Sequence, residues 1–284
     1  MNSTFKSILL LSLSTSVLLM SACSDDSTDD SPTAPTTPIN PTTYLRLLTT
    51  EVDSNADFTA DVRTTFVYNT DGTLYAEQYD NEADGAIDSN VTYSYDSNQN
   101  VITEKNYTHP DSDPKSIITY TYNAAKDILT EAHDTNANQT VDFSITYTYQ
   151  NAQKTTKLRQ WITRPFPSTT TQYSYNPLLV LEELVLENGT TASLVAYTYD
   201  PANDNLLTKE DDYEADGTYD RIISYGYDVN GSLTTELHDD NADGIPEFKL
   251  IHTYDADLNL VQTITDIGDS GHINAITTYT WGNI

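Results

Sequence analysis

Residues 222–244 read IISYGYDVNGSLTTELHDDNADG: a Tyr-x-Tyr segment, a short Asp/Asn/Gly link, a second segment and an acidic link. Before the first link, Ile223, Tyr225 and Tyr227 alternate with Ser224 and Gly226. A period of two belongs to a β-strand with one face turned to a core. Asp228-Val229-Asn230-Gly231 supplies Asn and Gly, which accept the positive φ of a tight hairpin, and Leu233 opens the returning strand. The unit is a β-hairpin followed by a polar loop.

Nearly the whole chain from Tyr44 repeats it. Aligned on the aromatic pair, the copies begin at Phe66, Tyr93, Tyr120, Tyr147, Tyr173, Tyr197, Tyr225, His252 and Tyr279, with spacings of 27, 27, 27, 26, 24, 28, 27 and 27. Of 21 tyrosines, seven hold the first position of the pair and eight the second, so the periodicity is a property of the chain and not of one segment. Slipping the register by one residue would expose the tyrosines and bury Thr and Ser, so the pairing is specified. A lone hairpin has no core, so the copies must pack side by side. These features predict an all-β domain over residues 44–284, with nine tandem antiparallel β-hairpin repeats of about 27 residues. They form a curled or spiral sheet with the Tyr ladders inward. Periodicity fixes strands and not curvature, and a spiral, a wide barrel and a long open sheet all satisfy it.

The N-terminus is of another kind. Residues 1–22 carry Lys6, an apolar run and small residues, the pattern of a secretory signal too short to span a membrane. Met20-Ser21-Ala22-Cys23 resembles the lipobox of bacterial lipoproteins, which implies cleavage before Cys23 and acylation of that cysteine, the only one in the chain. Ser24 after it implies the outer membrane. Residues 24–43 hold Ser, Thr, Pro, Asp, Ala, Asn and one Ile, too little apolar surface to fold, so residues 23–43 read as a disordered tether. The formal net charge is −30. Such a chain repels phosphate, which excludes nucleic acid as a partner, and multivalent cations would relieve its self-repulsion.

The units Tyr225-Gly-Tyr-Asp-Val-Asn-Gly-Ser-Leu233 and Tyr197-Thr-Tyr-Asp-Pro-Ala-Asn-Asp-Asn-Leu206 resemble the YD repeats of the RHS family. The resemblance covers about residues 44–284 and implies a β-sheet coiled into a spiral shell that encloses cargo. The units here are longer than that family's. Neither Asp113-Pro114 nor Asp200-Pro201 continues into its self-cleavage motif, so a toxin-delivery role is not implied.

Thirteen residues before the first aromatic stands an Asp in six copies: Asp53, Asp80, Asp134, Asp212, Asp239 and Asp266. Oxygen-bearing residues follow at alternate positions in three of these loops: Asp80/Glu82/Asp84/Asp88, Asp212/Glu214/Asp216/Asp220 and Asp239/Asn241/Asp243/Glu247, with Gly85, Gly217 and Gly244 at the sixth place. Positions 1, 3, 5 and 9 with Gly at 6 match the first nine places of an EF-hand-type loop, so calcium is the expected ion. Val91, Ile223 and Leu250 stand where the bidentate Glu would be, which predicts weak binding, about 10⁻⁴ to 10⁻³ M. The loops at Asp53 and Asp134 lack the Gly. The alternative is turn chemistry with no ion.

Between residues 154 and 205 the acidic loop is missing. Arg159, Trp161, Arg164 and Phe166 form the one basic and aromatic cluster, read either as a partner patch or as a decayed repeat covering a sheet edge. No nucleophile elbow, phosphate loop or His-Glu-x-x-His is present, so no catalytic residue is assigned. The expectation is a non-enzymatic, calcium-stabilised lipoprotein anchored to the outer membrane for surface display, adhesion or binding of a protein or glycan. Its alternatives are a shell or carrier enclosing a partner and, further off, a carboxylate-based glycosidase.

Overall fold

The computed structural model describes residues 45–176, 179–268 and 271–283, all within the unit Thr43–Ile284. The signal segment, Cys23 and the tether lie outside the described residues. Eighteen strands follow in order: β1 (Leu45–Asp53), β2 (Val62–Tyr68), β3 (Leu74–Asp80), β4 (Ser89–Tyr95), β5 (Val101–Thr108) and β6 (Ser116–Tyr122). Then come β7 (Ile128–Asp134), β8 (Phe143–Gln150), β9 (Gln153–Trp161), β10 (Thr169–Asn176), β11 (Leu179–Glu187) and β12 (Thr190–Tyr199). The last six are β13 (Leu206–Asp212), β14 (Arg221–Tyr227), β15 (Leu233–Asp239), β16 (Phe248–Tyr254), β17 (Leu260–Ile267) and β18 (Ile273–Asn283).

Each strand pairs antiparallel with its sequence neighbours, and β1 pairs with β18 from Leu45↔Asn283 to Asp53↔Ile276. The sheet is thus a closed up-and-down barrel, not the curled or spiral sheet the repeats suggest. The pairing pattern gives the reason. Phe66 stands opposite Glu77 and Glu77 opposite Val91, so one hairpin advances 25 residues in a 27-residue repeat. A stagger of two per hairpin gives a shear of about 18 over nine hairpins, equal to the strand number, with strands tilted by about 35° at a radius of about 17 Å. That geometry brings the two edges together, and pairing them removes the exposed edge groups an open sheet would carry.

A β-bulge recurs beside the second aromatic of the hairpins, as at Val67/Tyr68, Ser94/Tyr95 and Thr121/Tyr122. It adds twist, and it changes one detail of the sequence reading. Leu74 pairs with Tyr68 and shares its face, whereas Ala76 pairs with Val67 and turns to the other. The tight links also differ from expectation. Positive φ falls at Gly72 and Gly231, but at Gln99, Lys126 and Leu258 in equivalent links. Asp or Asn at the link's start accepts backbone N–H groups, as Asp96 does from Asn98 and Asn100, and holds those residues in place.

The tyrosine face lines the interior. Apart from strand ends and bulges, the strand residues open to solvent lie on the Thr/Ser face, among them Ser94, Thr119, Thr121, Thr148, Gln160 and Gln172. That outer face also carries apolar residues, such as Ile251, Ile264 and Ile276, which stand side by side across three strands. Inside, the one compact cluster among the described residues is Phe143, Ile145 and Tyr147 with Ile128, Tyr149 and Trp161 against it. Most other interior residues stay half-buried, because eighteen strands enclose more space than side chains fill. Strands approach only their direct neighbours around the ring. With side chains reaching roughly 6 to 7 Å inward, the lumen is on the order of 20 Å wide.

Candidate functional site

The interior is built in layers set by the repeat. Nearest the tight links, the second aromatic of most pairs donates to a backbone carbonyl 21 residues earlier: Tyr68 to Leu47 (2.8 Å), Tyr95 to Leu74 (2.6 Å), Tyr122 to Val101 (2.6 Å) and Tyr149 to Ile128 (2.8 Å). Trp281 does the same through Nε1, to Leu260 at 2.8 Å. One layer further in, the first aromatic donates to a glutamate on the strand before it: Tyr93 to Glu77 (2.9 Å), Tyr120 to Glu104 (3.2 Å), Tyr147 to Glu131 (2.6 Å) and Tyr197 to Glu183 (2.9 Å). Sequence reading missed this carboxylate ring. Its signal was present, because Glu77, Glu104, Glu131 and Glu236 each precede the first aromatic by sixteen residues.

Burial pushes the ring tyrosines up, with the neighbouring carboxylates adding to it: Tyr173 and Tyr225 each rise to about 12. Glu236 goes the other way. Burial alone would raise it, but the hydrogen bond from His252 and the nearby His238 hold it at about 2. His252 Nε2 lies 3.0 Å from Glu236 Oε1, and His238 stacks on Phe248 at 4.2 Å and meets Arg221 at 3.1 Å. Glu131, His133 and Phe143 repeat this arrangement in the fourth copy. The lowered values of Glu131 and Glu236 suit carboxylates that anchor the ring.

The acidic loops all leave the opposite end of the barrel. The first-position Asp folds back on its own loop: Asp80 accepts from the N–H of Asp84 (3.0 Å) and Gly85 (2.8 Å), Asp212 from Asp216 (3.1 Å) and Gly217 (2.9 Å), Asp239 from Asp243 (3.1 Å) and Gly244 (2.7 Å). The ninth residue accepts from the second: Asp88 from Asn81, Asp220 from Tyr213, Glu247 from Asp240. Asp84, Asp216 and Asp243 each cap the N–H two residues on, and Asn241 caps Asp243. Only Glu82 and Glu214 are exposed and outside this scheme. Among the described residues, no three His, Cys, Asp or Glu side chains converge as they would around a metal ion. The loops at Asp53 and Asp134 take the same backbone without glycine, with Phe58 and Gln139 at φ of 70° and 71° where the others have Gly.

The basic cluster divides. Arg159 and Trp161 lie on the inner face of β9, with the guanidinium 4.3 Å from the Phe143 ring and 4.7 Å from Trp161. Phe166, from the connection to β10, packs edge-on against Trp161 at 5.0 Å, and only Arg164 and Phe166 are exposed. The four residues therefore form no single outer patch.

No family model matches the chain, and no curated protein is significantly similar. Among solved structures, it is similar to a chain of the TcdB2-TccC3-TEV crystal structure, with 16% identity and a TM-score of 0.38 over 76% of this chain and 13% of that one. It is similar to a chain of the Photorhabdus luminescens Tc holotoxin pore, with 14% identity and a TM-score of 0.36 over 78% and 15%. A porin-like protein from Bacteroides uniformis gives 12% identity and a TM-score of 0.44 over 87% and 99%. The chain thus spans less than a sixth of the two toxin-complex chains.

Proposed function

We propose that this protein is a lipid-anchored envelope receptor whose barrel takes a ligand into its lumen. The observation that carries the reading is the closed barrel with an unfilled interior of tyrosine rings and ordered carboxylates. Large ligand-holding barrels have this construction: a wall satisfied by its own hydrogen bonds, and side chains arranged around a cavity they do not fill. Aromatic faces with fixed polar groups suit a sugar or a polar organic ligand, and nothing in the wall requires a reaction. The anchor is proposed from Met20-Ser21-Ala22-Cys23, with the outer membrane as its location.

The test is native mass spectrometry of the full-length protein taken from its own envelope. A non-covalent species that leaves on unfolding supports the receptor. A bare protein that captures nothing from envelope extract would leave a display scaffold, the second reading, which the gathering of the acidic loops at one end favours.

A further inference from the structure

Five interior cations are placed on the tyrosine face, and they divide into two kinds. Lys209 pairs with Asp211 at 3.1 Å and Arg221 with Asp240 at 3.1 Å. The other three, Lys154, Lys157 and Arg159, stand together on β9, and among the described residues none has an ion-pair or hydrogen-bond partner through its side chain. Arg159 Nε is buried without a partner. In a chain with 43 acidic and 13 basic residues, three adjacent inner-face cations without an ion pair are not what charge balance alone produces.

The repeat itself shows what is unusual about them. Lys154 pairs with Tyr149 at the layer where Leu74, Val101, Ile128 and Leu233 face the same tyrosine in other copies. Lys157 pairs with Tyr147 at the layer where other copies place Glu77, Glu104 or Glu236. This copy therefore replaces one apolar and one acidic position by lysine. The replacements leave a cost: burial, then Lys157, pulls Lys154 below the ordinary lysine value. Lys154 Nζ lies 4.8 Å from the Tyr147 ring and 5.6 Å from that of Tyr173, so aromatic faces flank the cations on both sides.

We infer that the inner face of β9 is a binding lane for an elongated acidic glycan, with Lys154, Lys157 and Arg159 meeting its carboxylates or sulfates and tyrosine rings of β8 and β10 meeting its sugar faces. Along the strand the cations cover about 15 Å, so a ligand carrying acid groups several ångströms apart contacts all three. Arg159 is the fork suited to a carboxylate. The lane rests on the receptor reading and names the class of ligand.

Trp161, against Arg159, is a reporter. The other tryptophan, Trp281, is removed by Trp281→Tyr, which installs the residue that eight copies carry at that place. The full-length variant is titrated with an oligogalacturonate of roughly six units, and with maltohexaose, tripolyphosphate and polyglutamate. The lane predicts that the oligogalacturonate alone shifts Trp161 emission, that added salt weakens binding, and that Lys154→Leu with Lys157→Glu weakens it at least about tenfold. Both substitutions install residues other copies hold at these places, and the melting temperature checks that they fold. Oligogalacturonate binding unchanged in the double variant, no binding at all, or binding only of tripolyphosphate or polyglutamate overturns the lane. Maltohexaose bound equally by both proteins overturns it too, and leaves the receptor reading standing.

Discussion

At one end of the barrel, backbone carbonyls are capped by phenol donors, as Tyr122 Oη caps Val101 at 2.6 Å. At the other end, backbone N–H groups are capped by carboxylate acceptors, as Asp212 caps Asp216 and Gly217 at 3.1 and 2.9 Å. Both devices satisfy polar backbone groups where strands stop, and both recur with the repeat. Their chemistry differs. A phenol is neutral and makes one bond of ordinary strength, whereas a carboxylate is charged, makes two or more, and makes stronger ones. The loop end should therefore be the more sensitive to single substitutions. The charge also gathers at the loop end, which accounts for part of the acidity of the chain.

The largest expected effect follows from Asp212, whose side chain is almost fully buried at 1% exposure. Asp212→Ala leaves two N–H groups without acceptors and should cost about 3 kcal/mol. Asp212→Asn keeps an acceptor and should recover part of that. A loss under about 1 kcal/mol in urea unfolding would dismiss the loop-capping role.

Glu236 tests the layer between the ends. Glu236→Gln weakens the charge-assisted hydrogen bond from His252 and the attraction to His238, and should cost about 2 kcal/mol. Its folded value of about 2 lies below the ordinary 4.5. The stability it contributes is therefore present above pH 4.5 and is lost as pH falls from there toward 2. The variant should lose less stability over that window than the parent, and parallel pH profiles of the two would remove Glu236 from the account. Tyr173 and Tyr225, raised from 10 to about 12, give the opposite sign: stability present below pH 10 declines as pH rises toward 12. Tyrosine absorbance and circular dichroism should change together there.

At the turn end, Tyr122→Phe removes one neutral bond and should cost about 1 kcal/mol. If it costs as much as Asp212→Ala, the contrast between the ends fails. Smaller still is Gln139, held at φ 71° where four equivalent loops have Gly. Gln139→Gly relieves that strain, less the greater freedom of glycine in the unfolded chain, for a gain of about 0.5 kcal/mol. A loss instead would mean that the Gln139 side chain contributes more than its backbone costs.

Much of this was legible in the residues. The alternation of Phe143, Ile145, Tyr147 and Tyr149 against Ser144, Thr146 and Thr148 fixed the strand and its buried face, because period two has one structural meaning. Closure was not legible. It depends on a two-residue stagger per hairpin, which can be read only once Phe66, Glu77 and Val91 are seen opposite one another. The acidic loops were legible in spacing but not in purpose, since a carboxylate at position 1 serves a cation or the N–H groups of positions 5 and 6 equally well. Arg159 and Trp161 stood out by composition, yet Lys154 and Lys157 gained meaning only beside the Leu and Glu of other copies, a comparison that needs the pairing register.

Calcium remains a proposal for these loops, and it can be separated from the hydrogen bonds that close them. A carboxylate oxygen has a second lone pair, so accepting an N–H does not by itself exclude an ion. Glu82 and Glu214 discriminate, because they would be third-position ligands and take no part in capping. Glu82→Gln and Glu214→Gln should leave the melt in chelator unchanged, since no capping bond is lost. With about 1 mM calcium, near the dissociation constant expected for a loop lacking its bidentate Glu, each filled loop should gain only about 0.4 kcal/mol. The two variants should forfeit that gain in their own loops. If the parent melts at one temperature in calcium and in chelator, the spacing of Asp80, Asp84 and Asp88 is explained by backbone capping alone.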